Sequence, residues 1–318
     1  MTKTGGEMLV AAPEAWDEAC YAVPALRAMI ASGLSCGVLC EASQRDFWET
    51  IDGLAVVDFS KNSKVKGVAS LLVGAWQASL AWEPGFAAEV FKAAGIARRL
   101  GPGGGKLVKY LTHPMQVSVG PLEHRVRYYL ATVEELGVSS GRAEFFAPAE
   151  LGVVRTPGVV LLCPGSDFGP SHEWPVVRWV EIGKRLMASG SRVVVASVAG
   201  GRGQGRELAD QLGADVEFFH AAPLAGALPL LAAHSLVVAA DGSLPHLAAH
   251  AGTTCVTLFG PNDPGWRRPL GRRHAVVRRH VECAPCLLAK CPLDGRCQTE
   301  LEVDRVWEAV CAKISGIS

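Results

Sequence analysis

The stretch V-V-A-A-D-G-S-L-P-H-L-A-A-H-A-G-T-T-C-V-T-L-F, residues 237–259, decides how this chain is read. An apolar run of strand character ends at Asp241. The small residues Gly242 and Ser243 then turn the chain into a helix, and a second apolar run follows at 255–259. The first amides of a helix have no intrahelical acceptor, and the helix dipole is positive there. Such a turn therefore attracts an anion without any cationic side chain, and a nucleotide diphosphate suits it. Asp241 and Ser243 are also good capping residues. An ordinary capped strand-turn-helix would look the same, so the turn needs support from the rest of the chain.

The same alternation extends in both directions. In the second half, strands are predicted over 159–163, 192–198, 216–219, 236–240 and 255–259. Helices are predicted over 175–188, with Pro175 in the first turn, and over 204–212, 224–233, 244–251 and 303–314. In the first half, strands are predicted over 7–13, 34–40 and 54–59, and helices over 18–32, 44–51, 64–76 and 123–136. A Gly-rich loop covers 101–105, and a Pro/Gly-containing linker covers 147–158. Two successive runs of β-α alternation imply an α/β chain of two doubly wound parallel sheets. The 318 residues suit two domains, 1–150 and 151–318. Ligands of such sheets bind beyond the carboxyl ends of the strands, so the site is expected in a cleft between the domains.

Composition excludes several classes. Lys plus Arg number 31, as do Asp plus Glu, so net charge points to no polyanion. The cations are unevenly placed: seven Lys/Arg against one acid from Lys92 to Arg127, and six Arg with no acid from Trp266 to His280. Local basic zones in a neutral chain suit anionic small ligands. The first eight residues have no signal-peptide pattern. No run reaches the about 18 apolar residues that cross a bilayer. A cytoplasmic protein is expected, with reduced thiols.

Several blocks resemble glycosyltransferase family 9, to which the ADP-heptose:lipopolysaccharide heptosyltransferases belong. Asp241-Gly242-Ser243-Leu244-Pro245-His246, then Ala248-Ala249, then Leu258-Phe259-Gly260-Pro261 is similar to the family's D-[ST]-G-x-x-H…A-A…[LY]-[FY]-G-P block. Cys163-Pro164-Gly165-Ser166-Asp167-Phe168-Gly169-Pro170 with Glu173-Trp174-Pro175 resembles C-P-G-A-E-F-G-P-x-K-x-W-P. Ala12-Pro13 through Glu18 and Pro24-Ala25-Leu26 resembles G-P-S-W-x-G-D…P-A-L more loosely, as does 124–130 its H-x-V-x-R-Y-L helix. Two departures stand out. The small residues of the turn are exchanged, and His172 replaces the family's lysine.

The resemblance implies a GT-B fold and an inverting glycosyltransferase of lipopolysaccharide biosynthesis. The implied donor is ADP-heptose, held by Ser166, Asp167, Gly169, Ser171, His172, Glu217, Asp241, Gly242, Ser243, Leu244 and His246. Glu18 aligns with the family's base, and Asp17 is the alternative. The implied acceptor is an anionic glycan or glycolipid of lipopolysaccharide-core type, or another glycan or protein, facing Arg98, Arg99, Lys106, Lys109 and Arg125. No catalytic cofactor and no nucleic acid are expected, while a peripheral contact with the inner face of the cytoplasmic membrane is. A non-catalytic nucleotide-sugar-binding or scaffolding protein and a GT-B sugar-nucleotide epimerase remain the alternatives.

One signal stands apart. Cys283, Cys286, Cys291 and Cys297 fall within fifteen residues. Four thiolates at such spacing can surround one Zn or Fe ion tetrahedrally. A structural four-cysteine metal site is expected in segment 283–297, and the other six cysteines are expected in the core.

Overall fold

The computed structural model describes residues 5–198, 203–221 and 224–316. Residues 1–4, part of the N-terminal stretch read above, lie outside them. The chain divides into two compact units, Met1–Ala147 and Pro148–Ser318.

The first unit contains β1 (Gly6–Ala11), β2 (Cys36–Glu41), β3 (Ala55–Phe59), β4 (Trp76–Leu80), β5 (Arg98–Pro102) and β6 (His113–Met115). They form one sheet in the order β3-β2-β1-β4-β5-β6, and each neighbouring pair is parallel. Its helices are α1 (Trp16–Ala31), α2 (Arg45–Trp48), α3 (Val65–Leu72), α4 (Phe86–Ala93) and α5 (Val126–Glu134). The strand order reverses between β1 and β4. The loops leaving those two strands diverge, which leaves a crevice at their carboxyl ends.

The second unit repeats the plan. Its strands are β7 (Thr156–Cys163), β8 (Arg192–Val198), β9 (Glu217–Ala221), β10 (His234–Ala240), β11 (Thr254–Phe259) and β12 (Ala275–Arg278). They are parallel in the order β12-β11-β10-β7-β8-β9, so this sheet reverses between β7 and β10. The helices are α6 (Val176–Ala188), α7 (Gln204–Leu212), α8 (Leu228–Ala233), α9 (Ser243–His250), α10 (Pro264–Arg267), α11 (Arg296–Thr299) and α12 (Val303–Ser315). Every residue of β10 and β11 is buried, as continuous apolar runs in a covered parallel sheet should be. Trp174, Trp179 and Leu186 pack with Val306 and Val310 of α12 in the same core.

The predicted helix over 64–76 is not one element. The helix α3 ends at Leu72, Gly74 takes a positive φ of 70°, and the chain re-enters the sheet as β4. Packing decides this. The Trp76 ring lies against bare backbone: a Cβ on Gly37 would stand 2.3 Å from it, and one on Gly6 2.9 Å. With β4 missed, α4, β5 and β6 were missed as well. The edge strand β12 also escaped the sequence reading.

Near the start of β11, His274 Nδ1 accepts the Cys255 amide at 3.2 Å. Burial first, and then the Arg273 charge, push its pKa down from 6.5 to about 4. The folded protein therefore holds His274 neutral where the unfolded chain would protonate it. The stability this contributes is full above pH 6.5 and is lost as pH falls towards 4. Unfolding in this window should take up about one proton more in the wild type than in His274→Gln. Melting temperature against pH should accordingly fall less steeply in the variant, and parallel curves would contradict the assignment.

Candidate functional site

The carboxyl ends of β7 and β10 meet where the second sheet reverses, and the chain's own hydrogen bonds tie their loops together. The Ser166 hydroxyl donates to the Asp241 carbonyl at 2.6 Å and accepts from the Phe168 amide at 3.1 Å. The Ser166 amide donates to Glu173 Oε1 at 3.3 Å. Asp167 reaches across to the turn, where its Oδ1 accepts the Ser243 amide at 2.8 Å and its Oδ2 accepts the Ser243 hydroxyl. The first turn of α9 thus already binds a carboxylate, as its dipole and unpaired amides favour. Pro245 has no amide hydrogen and Asp167 takes that of Ser243, which leaves Gly242 and Leu244 to meet an outside anion.

Gly242 has extended backbone, so space is what its position demands. A Cβ there would stand 2.8 Å from Asp167 Oδ1 and 3.1 Å from Ser166 Oγ.

Beneath the turn, Asp241 is 0% exposed and His172 2%. Asp241 Oδ2 accepts from Asn262 Nδ2 at 2.7 Å and lies 3.0 Å from His172 Nδ1. His172 thus packs inward, where the resemblance implied a residue facing the leaving diphosphate. Gln298 Nε2 donates to the His172 carbonyl at 3.0 Å. The Ser171 amide donates to the Ala289 carbonyl at 3.2 Å, its hydroxyl donates to the Leu288 carbonyl, and the Leu287 amide donates to the Pro261 carbonyl at 3.0 Å. The cysteine-rich segment is therefore laid directly along the 169–173 loop. Gly169, at φ 118°, permits this approach, since a Cβ there would come within 2.5 Å of the Ala289 carbonyl. Asn262, Glu173 and Gln298 belong to this network and were missed, because a buried amide carries no motif of its own.

The structure thus brings Ser166, Asp167, Ser171, His172, Asp241, Gly242 and Ser243 to one place. His246 lies in the same helix with 1% of its surface exposed. Glu217 does not join them. It opens β9 and faces Arg192, which opens β8, at 3.8 Å. In a parallel sheet that is the amino-terminal edge, opposite the strand ends where Ser166 and Asp241 lie, so Glu217 is not placed with the other donor residues that the resemblance implies.

In the first unit, α1 presents Asp17 and Glu18 at the carboxyl edge of the sheet. Asp17 is 0% exposed. The Glu18 carboxylate receives Arg125 Nε at 3.0 Å, Arg125 Nη2 at 3.1 Å and the Tyr129 hydroxyl at 2.8 Å. Burial and the Glu18 charge raise the Tyr129 pKa, so it stays a donor. The expected cationic acceptor face is dispersed. Arg125 is engaged with Glu18, and Arg99 donates to the carbonyls of Tyr110 at 2.7 Å and Ile96 at 2.6 Å. Arg98 and Arg99 open β5 at the sheet's amino edge. Lys106 and Lys109 sit in the 3-10 turn after β5, with Lys109 Nζ 4.7 Å above the Tyr110 ring.

Cys283, Cys286, Cys291 and Cys297 are all free thiols. Burial, followed by the charges of the other three, pushes the Cys297 thiol up to about 11. The four therefore share one neighbourhood. Among the described residues, no group of three His, Cys, Asp or Glu side chains is set to hold a metal ion. Nor is any helix of the described residues long and apolar enough to cross a membrane.

The chain is similar to known proteins. The profile of "Glycosyltransferase family 9 (heptosyltransferase)" matches residues 122–296, more than half of the chain. Lipopolysaccharide heptosyltransferase 2 of Salmonella typhimurium is 29% identical over 150 residues, which are 45% of this chain and 42% of the relative. The matched stretch thus spans about two-fifths of that relative's length. Among solved structures, E. coli ADP-heptose lps heptosyltransferase II superposes with a TM-score of 0.76 at 21% identity, over 98% of this chain and 99% of that one. The dodecameric iron-containing heptosyltransferase TibC, from enterotoxigenic E. coli, superposes with a TM-score of 0.63 at 14% identity, over 99% of this chain and 78% of that one. At these identities the structures show the fold: two Rossmann-like units of GT-B type.

Gly242→Val should force Asp167 off the α9 turn while the buried strands around it keep the unit folded. Its affinity for ADP should fall at least about tenfold, or about 1.4 kcal/mol, by isothermal titration. Unchanged affinity with an unchanged melting temperature would move the nucleotide site elsewhere.

Proposed function

The chain belongs to glycosyltransferase family 9, and from that premise we propose that it transfers heptose from ADP-heptose to a saccharide acceptor of lipopolysaccharide-core type, with inversion. The observation that carries the reading is the α9 turn, whose Ser243 amide and hydroxyl hold an anion, Asp167, at the point where the second sheet reverses. In the proposal the diphosphate lies against the Gly242 and Leu244 amides and the Ser166–Ser171 loop. These preorganised dipoles stabilise charge as it develops on the leaving group. The acceptor lies on the first unit, where a carboxylate at the carboxyl edge of the sheet takes the proton of the attacking hydroxyl. Asp241, His172 and Asn262 support this chemistry from beneath the turn by fixing its backbone. The cytoplasm, where sugar nucleotides are made, is the proposed location.

The wild-type protein, given ADP-heptose and a truncated core oligosaccharide, should add one heptose to the acceptor and release ADP, as read by mass spectrometry. Conversion of the sugar nucleotide without acceptor would favour an epimerase. Binding without any turnover would favour a non-catalytic nucleotide-sugar-binding protein.

We also propose that Cys283, Cys286, Cys291 and Cys297 hold one zinc or iron ion. Four free thiols in a polar, loop-rich segment are a donor set that fits such a soft-ligand site, and TibC is described as iron-containing. The ion would fix the segment that lies along Ser171 and His172. Elemental analysis should find about one equivalent of metal per chain, as tetrahedral coordination by four thiolates requires. Replacing all four cysteines with serine should remove the metal and weaken ADP binding through the loosened 169–173 loop. Metal-free wild-type protein would refute this part.

A further inference from the structure

Three elements form a layer on the first sheet: α3, α4 and the 3-10 turn at Gly105–Tyr110. They lie side by side. Val68 and Leu72 of α3, Val90 and Phe91 of α4 and Leu107 of the turn pack into one core with Leu9 and Leu39 of the strands. Burial of this inner side is what the fold requires, and it leaves the composition of the outer side unexplained.

Five large apolar side chains are exposed among the described residues of the first unit, and three of them stand on this layer. Leu71 is 66% exposed, Val73, which ends α3, is 55%, and Val108 is 44%. Lys64 and Lys66, at the start of α3, and Lys106, in the 3-10 turn, are exposed beside them. No carboxylate of the described residues is paired with these three lysines. Residues 60–82 and 90–122 contain no Asp or Glu. The one acid of the three elements is Glu89, whose carboxylate accepts the Tyr110 hydroxyl at 2.8 Å.

The helix α3 shows the pattern most clearly. Its buried side is Val68, Ala69 and Leu72. On the other side Gly67 and Ser70 stand between Lys66 and Leu71, and a Cβ on Gly67 would meet nothing within 4 Å. No bulky side chain there keeps the helix from lying close to a flat surface.

We infer that the outer side of this layer rests on a bilayer that contains anionic phospholipid. The lysines meet headgroup phosphates, and Leu71, Val73 and Val108 enter the boundary with the acyl chains. A small anion would engage the lysines and leave the apolar side chains in water, whereas a bilayer takes both. A protein partner is anchored by aromatic and Arg side chains that fill pockets. These elements carry no Arg, and their rings, Phe86, Phe91 and Tyr110, are buried or half-buried. The contact is peripheral, since no helix of the described residues is long and apolar enough to cross a membrane. The inference goes beyond the transfer reading and does not need it, although a lipid-linked acceptor would be met at such a surface.

Flotation of the full chain with vesicles of phosphatidylcholine alone, and of phosphatidylcholine mixed with phosphatidylglycerol, tests this. The wild type should float with the mixed vesicles and not with the neutral ones, and added salt should release it. Lys64→Gln combined with Lys66→Gln should weaken the partition about fivefold for each lysine. Leu71→Ser should weaken it at least about fivefold. Both variants should keep the wild-type melting temperature and affinity for ADP. Lys184→Gln combined with Arg305→Gln removes the same charge from exposed positions of the second unit, and should bind as the wild type does. Failure of the wild type to float, equal losses in the two double variants, or full binding by Leu71→Ser would each overturn the inference. So would a wild type that ignores vesicles but binds a soluble anionic core oligosaccharide through Lys64 and Lys66, which would make those lysines acceptor contacts. Flotation needs no turnover, so each of these results leaves the transfer reading standing.

Discussion

The buried Asp241 carboxylate is the constraint on which the second unit's site depends. It sits at the end of a fully buried strand, with Asn262 donating from the loop after β11 and His172 beside it from the loop after β7. Its own carbonyl accepts from Ser166. A polar group so deep needs hydrogen-bonding partners. The bonds to its Oδ2 and to its carbonyl fix three loops in one arrangement. Asp167 then reaches the α9 turn, and the cysteine-rich segment, tied by Gln298, Leu287 and Ser171, closes over the far side. The residues deepest in the conspicuous motif are thus the ones that hold the turn.

The first unit solves a similar problem with a half-exposed pair. Arg125 and Tyr129 converge on Glu18, and Tyr128 reaches the carbonyl of Trp82. The helix α5 is thereby joined both to the start of α1 and to the loop after β4, the two elements that frame the reversal of strand order. A carboxylate engaged by three donors organises its surroundings.

Much of the architecture was legible in the sequence, because long apolar runs followed by small-residue turns leave few alternatives. The strands at 192–198 and 236–240 and the turn at 241–243 were placed with little error. The elements missed in the first unit share one physical cause: local pattern was overruled by packing. Trp76 reads as the end of a helix until Gly6 and Gly37 are seen to clear space for its ring. Losing β4 concealed the loop that follows it at the sheet's carboxyl edge, for which Gly74 was the available sign. Glu217 failed on chain direction: ligands lie beyond the carboxyl ends of parallel strands, and Glu217 opens its strand. The basic run 92–127 was real as composition, but carbonyls and Glu18 absorb two of its guanidiniums.

The central claim is that the second unit's α9 turn receives the diphosphate of the donor. A crystal structure of the protein with a non-hydrolysable nucleotide-diphosphate sugar tests it most directly. The diphosphate oxygens should lie within hydrogen-bond distance of the Gly242 and Leu244 amides, with Asp241 still buried on His172 and Asn262. A nucleotide bound at the amino-terminal edge of that sheet, or on the first unit with the α9 turn untouched, would contradict it.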